Sequence, residues 1–146
     1  MIDRGHPSAD ATADVPEPEV PQVLAAIDIG TNSVHMVVAR MGIGGRFEVI
    51  TRHKETVRLG ESGDDQLKHL TSAAIDRGIA ALKRCRSVID TYDAPVAAVA
   101  TSAVREAENR NEFIRRARKE AGIEVEVIAG HEEARLIHLG ILQALP

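Results

Sequence analysis

The stretch from Asp28 to Ser33 has the residue types that handle phosphate. Asp28 is a lone carboxylate near the end of an otherwise apolar run, Val23 to Ile29, and Gly30, Thr31, Asn32 and Ser33 follow. Burying a lone carboxylate in such a strand is costly unless it is paired or binds a metal. Gly30 lets the backbone turn or approach a ligand closely. Thr31, Asn32 and Ser33 supply hydroxyl, amide and backbone N–H donors. An acid below a hydroxyl-rich turn reads as a phosphate cradle with a cation-binding group at its base. A tight hairpin whose Asp bonds its own turn is the alternative reading.

Two further positions have suitable chemistry. Arg105 follows a second apolar run, and a guanidinium makes bidentate contact with phosphate. A surface ion pair with Glu106 or Glu108 is the plainer explanation. Glu132 and Glu133 open a helix pattern, where a carboxylate can take a proton from water. Acids there also complement the helix dipole whatever the function. The two point about 100° apart around a helix, so only one can serve a given site. Arg135 could orient either acid. His131, in the loop before this helix, could carry a proton, with solvent exposure the plainer explanation. His35 alternates with apolar neighbours on the second strand and reads as a surface-side or core histidine rather than a ligand. His53, His69 and His138 have no carboxylate or cysteine partner at metal-ligand spacing. Arg52, Lys54 and Arg58 give one strand a basic edge, suited to guiding a polyanion or simply to solvation.

The elements that must position these residues follow from periodicity. Residues 23–29 and 34–41 read as strands, the first central and covered on both faces. Residues 46–59 read as a long third strand. Thr71 caps a helix running to about Tyr92, with Ile75, Ile79, Leu82 and Ile89 on one stripe. Residues 95–100 form a buried strand, and a turn or short helix follows over 101–107. Asn109 and Glu112 have capping-box spacing for another helix, which Gly122 ends. Residues 124–128 alternate as a strand, and 132–145 read as a closing helix. Three consecutive strands before alternating helices and strands imply a mixed sheet, part antiparallel and part parallel.

Bulk properties narrow the partners. The chain has 146 residues, a formal charge of -4 and a pI near 5.9, which argues against nucleic-acid binding. Neither a basic run nor a long apolar window suggests a membrane. Phe47, Tyr92 and Phe113 are all of the aromatics, so the core must be aliphatic. Cys85 is the single cysteine and fits a reducing cytoplasm as an inert thiol. Residues 1–22, rich in Pro, Ala and acids, read as a disordered tail before a domain over 23–146.

The element order resembles the ribonuclease H-like half-domain of the actin-like ATPase superfamily, an α/β fold with a mixed five-stranded sheet and flanking helices. Three motifs narrow the resemblance: AAIDIGTNSVHMVVARM, VRLGES, and the run from VAAVATSAVREAENR through GHEEARLIHLGI. Together they resemble the exopolyphosphatase and guanosine pentaphosphate phosphohydrolase (Ppx/GppA) family. That resemblance implies a hydrolase of phosphoanhydrides, acting on polyphosphate or guanosine pentaphosphate with Mg²⁺ or Mn²⁺. It implies Asp28 near the metal, Gly30, Thr31, Asn32 and Ser33 in the first phosphate loop, and Arg105 by the substrate phosphates. It implies Glu133 as the group that activates water. It also implies a homodimer for the full-length protein.

Members of that family continue into a second glycine-rich phosphate loop and a second lobe. Neither is encoded before Pro146, so the chain reads as truncated before the second phosphate loop, and the 146-residue piece is expected to be inactive alone. Such a truncation would also leave apolar surface on the closing helix open to self-association. An ATP-using phosphotransferase of the same fold, or a non-catalytic module binding polyphosphate or an alarmone, are the rival readings.

Overall fold

The structure is a computed structural model that describes residues 23–42, 44, 46–61 and 68–132. The expected tail, Glu133, His138 and nearly all of the closing helix lie outside the described residues.

The elements in chain order are β1 (Val23–Ile29), β2 (Ser33–Met41), β3 (Phe47–Thr56), α1 (Ser72–Asp90), β4 (Val96–Ala100), α2 (Ser102–Glu106), α3 (Arg110–Ala121) and β5 (Val125–Val127). They build one five-stranded sheet in the order β3-β2-β1-β4-β5. β1 pairs antiparallel with β2 and parallel with β4. β3 joins β2 antiparallel, with a register shift between Val38 and Ala39, and β5 joins β4 parallel. The expected α/β mixed sheet is therefore present, as an antiparallel meander continued by parallel strands.

Alternation fixes which face is core. Ala25, Ile27 and Ile29 of β1 sit opposite Val38, Met36 and Val34 of β2, and all are buried. Ala98 and Ala100 continue the same face on β4. The stripe Ile75, Ile79, Leu82 and Ile89 of α1, with Phe113 and Ala117 of α3, joins that face in one apolar cluster. Each fully buried Ile or Leu side chain contributes about 1.5–3 kcal/mol. The opposite face carries Leu24, Ala26 and Asp28 of β1. Ala26 and Ala97 on that face are exposed, so among the described residues the expectation that β1 is covered on both sides fails.

Element ends follow local chemistry. Thr71 caps α1, its hydroxyl accepting from Ala74 N at 3.0 Å. Gly122 ends α3 in the left-handed region at φ 65°. The third strand stops at Thr56, short of the expected Leu59. Val57 N and Arg58 N both leave the sheet for Asn32 O, and Arg58 takes φ 50°. The expected capping box at Asn109 is absent, since Asn109 makes no side-chain cap bond to α3. Its amide instead brackets Leu70, accepting from Leu70 N at 2.9 Å and donating to Leu70 O at 2.9 Å. That bracket competes with capping for the same side-chain oxygen, and it satisfies two backbone groups rather than one.

Cys85 faces the core with no exposed surface. Burial pushes its thiol up to about 11. The expected inert character follows, because the thiolate is the reactive form.

Candidate functional site

β1, β4 and β5 are parallel neighbours, so their carboxyl ends lie side by side. The crevice beyond such ends is where open α/β sheets bind ligands. Backbone bonds stitch the three ends together. Thr101 N donates to Ile29 O at 3.1 Å, and Ile128 N donates to Ala100 O at 3.1 Å.

The turn after β1 is held from within and from outside. Gly30 N donates to Ser33 O at 3.0 Å and closes the turn. Segment 57–61 then packs on its outer side. Val57 N and Arg58 N donate to Asn32 O at 2.9 and 3.0 Å, and Gly60 N donates to Thr31 O at 3.1 Å. In a trans peptide the N–H points opposite to the preceding carbonyl. The N–H groups of Asn32 and Ser33 are thus directed away from 57–61. Arg77 of α1 secures that segment, donating from Nε to Val57 O at 2.9 Å and from Nη2 to Arg58 O and Glu61 Oε2, each at 3.3 Å.

Thr31 meets the next strand end directly. Its Oγ1 lies 2.8 Å from Ser102 Oγ, at the start of α2. The two hydroxyls form part of the rim of a cleft of about 320 Å³, which Lys68, His69 and Glu106 also line. The Asn109 bracket on Leu70 and a 2.8 Å bond from Glu108 N to Lys68 O fix that wall to the α2–α3 junction. His69 Nδ1 lies 3.7 Å from Glu108 Oε2, both well exposed.

Arg105, on α2, turns toward β5. Its Nη1 donates to Ile128 O at 2.9 Å, and its Nη2 is the nearest atom to the open side of Gly130. Residues 130–132 begin a helical turn at that point. The guanidinium therefore reaches across to the junction that leads into GHEEAR, which the surface-pair reading did not anticipate. Arg110 Nη1 supports the backbone there, donating to Arg105 O at 2.9 Å.

Asp28 is half-buried one residue before the end of β1, with Oδ1 shielded from solvent. Its partner across the β1–β2 pair is His35. The Nε2 of His35 is buried without a hydrogen-bond partner among the described residues. A half-buried carboxylate at the base of the turn fits one hard-oxygen anchor for a divalent cation. Among the described residues no group of three His, Cys, Asp or Glu side chains could enclose an ion.

Gly30, Thr31, Asn32, Ser33 and Arg105 thus stand at the carboxyl ends of neighbouring strands, with Asp28 beside them on β1. Glu133 lies outside the described residues. Ser102, Lys68 and Arg77 were not singled out from sequence, and Asn109 was read there only as a helix cap. Ser102 was the legible one, because it follows a buried strand directly, but its importance needs the parallel pairing of β1 and β4. His53 Nε2 approaches Glu55 Oε2 at 3.3 Å, a carboxylate contact two residues along the same strand. No helix among the described residues is long and apolar enough to cross a membrane.

Comparison with known proteins agrees with this architecture. The sequence pattern of the Ppx/GppA phosphatase family matches residues 37–146. The fold is similar to the Aquifex aeolicus member of the Ppx/GppA family, with 32% identity and a TM-score of 0.77 over 86% of this chain and 41% of that one. It is equally similar to an exopolyphosphatase from Cytophaga hutchinsonii, with 37% identity and a TM-score of 0.77 over 86% of this chain and 40% of that one. The chain thus spans about two-fifths of the length of these structures. With the family pattern matched over most of its length, the chain belongs to the Ppx/GppA phosphatase family.

Proposed function

We propose that the protein carrying this chain hydrolyses terminal phosphoanhydride bonds, with inorganic polyphosphate as preferred substrate and guanosine pentaphosphate as second. Convergence of the Thr31 turn, Ser102 and Arg105 at the carboxyl ends of parallel strands is the observation that supports this most directly. Family membership supports a phosphatase in general.

Hydrolysis joins a water oxygen to the terminal phosphorus and breaks the bridging P–O bond, whose electron pair leaves with the shortened chain. Such transfer needs the phosphate held, its charge offset and the water aligned. In this reading the N–H groups of Asn32 and Ser33 and the hydroxyls of Thr31 and Ser33 hold the non-bridging oxygens, while Gly30 closes the turn through its bond to Ser33 O and lets the phosphate come close to the backbone. Arg105 offers the remaining donors of its fork to the transferring phosphate while Ile128 O fixes its orientation. Glu133 takes the proton from water. A divalent cation, Mg²⁺ or Mn²⁺, anchored by Asp28, would offset the phosphate charge when bound.

Magnesium-dependent orthophosphate release from polyphosphate by the full-length protein tests this reading. Glu133→Gln should abolish it. Unchanged turnover in Glu133→Gln, with loss in Glu132→Gln, would move the role of base to the neighbouring acid. Absence of release from both polyphosphate and guanosine pentaphosphate would overturn the proposal.

A further inference from the structure

We propose that Gly60 is a positioning residue that sets the side-chain rotamer of Thr31 and thereby aims its hydroxyl. Gly60 is outside the left-handed region, where only Gly44 and Gly122 stand among the described glycines, so no left-handed backbone calls for glycine there. Space is what excludes a side chain. A Cβ on Gly60 would lie 2.4 Å from Thr31 Cγ2, far inside contact distance.

The methyl and hydroxyl of a threonine share one Cβ, and its χ1 occupies discrete staggered wells. Seating the methyl against Gly60 therefore fixes where Oγ1 points, which is onto Ser102 at 2.8 Å. The Gly60 backbone cannot simply retreat. Its N–H is bonded to Thr31 O, and Val57 and Arg58 are bonded to Asn32 O. From behind, the Arg77 guanidinium ties Val57, Arg58 and Glu61 to α1. An added methyl at position 60 must then be met by rotation of Thr31. That rotation takes Oγ1 off Ser102 and turns the methyl toward the crevice.

The functional consequence rests on the Thr31 turn being a phosphate site, so the test separates the two claims. The chain itself is labelled with ¹⁵N and ¹³C. Three-bond couplings to Thr31 Cγ2 report χ1, and titration with tripolyphosphate reports binding. The unmodified chain should show one Thr31 rotamer. Gly60→Ala should populate a different one and weaken tripolyphosphate binding about tenfold, the order of one lost charge-assisted hydrogen bond. Adding Thr31→Ser, which keeps the hydroxyl and removes the methyl, should restore binding to within about twofold of Thr31→Ser alone, as a double-mutant cycle reads it. An unchanged Thr31 rotamer in Gly60→Ala, or no rescue by Thr31→Ser, would overturn the positioning role. Should neither the unmodified chain nor the full-length protein bind tripolyphosphate, the phosphate reading falls, and the rotamer measurement still decides the role of Gly60.

Discussion

Thr31 Oγ1 and Ser102 Oγ meet at 2.8 Å although 71 positions separate them in the chain. The parallel pairing of β1 with β4 places Ile29 beside Ala100, so the residues that follow each strand end share one edge. Either hydroxyl can be the donor in this pair. The other then keeps its proton for an acceptor in the crevice, such as a phosphate oxygen.

Replacing one hydroxyl should weaken both the fold and the grip on phosphate. Ser102→Ala is expected to cost about 1 kcal/mol in stability, the net worth of one hydrogen bond. It should also raise KM for polyphosphate in the full-length protein more than it lowers kcat. Chemical denaturation and steady-state phosphate release check the two effects.

Arg105 should not tolerate lysine. Its guanidinium spans Ile128 O and the open side of Gly130, a fork that an ammonium cannot reproduce. Arg105→Lys keeps the charge, yet is expected to lower kcat/KM for polyphosphate by about tenfold or more. A pure steering charge would be indifferent to this exchange at low salt.

Asn109 should matter for stability more than its turn position suggests. Asn109→Ala strips partners from both Leu70 N and Leu70 O, and Leu70 is buried. Two such groups left unsatisfied cost about 2–4 kcal/mol together. Asn109→Asp keeps the acceptor and loses the donor, so it should fall between. Urea unfolding of the three chains gives the order.

Cys85 gives an alkaline signature. Its folded pKa, about 11, stands above the unfolded value near 9, so the folded state holds the proton more tightly. Stability from this group is fully present below about pH 9 and is lost as pH rises through about 11. Cys85→Ala removes that decline, at the cost of a smaller buried side chain. Denaturation midpoints from pH 8 to 11 test the sign, and a thiol reagent at pH 8 should react only on unfolding.

Much of the fold was legible because its strands announce themselves. The runs ending at Ile29 and Ala100 are short, apolar and bounded, and Thr71 and Gly122 mark helix ends by well-defined chemistry. The errors arose where a side chain served a distant partner. Asn109 and Glu112 have capping spacing, but the Asn109 oxygen is engaged by Leu70 N, 39 positions away. Leu59 extends a strand pattern, yet Asn32 O draws Val57 and Arg58 out of the ladder. The candidate site was legible as residue types and not as a place. Arg105 beside two glutamates looks like a surface pair until β5 brings Ile128 O within its reach.

The most direct measurement is a ¹⁵N NMR titration of this chain with tripolyphosphate in the presence of Mg²⁺. Amides of Gly30, Thr31, Asn32 and Ser33, the Ser102 amide and the Arg105 side chain should shift together along one saturation curve. Shifts confined to the basic edge at Arg52 and Lys54, with the β1–β2 turn silent, would contradict a phosphate site at the carboxyl ends of β1, β4 and β5.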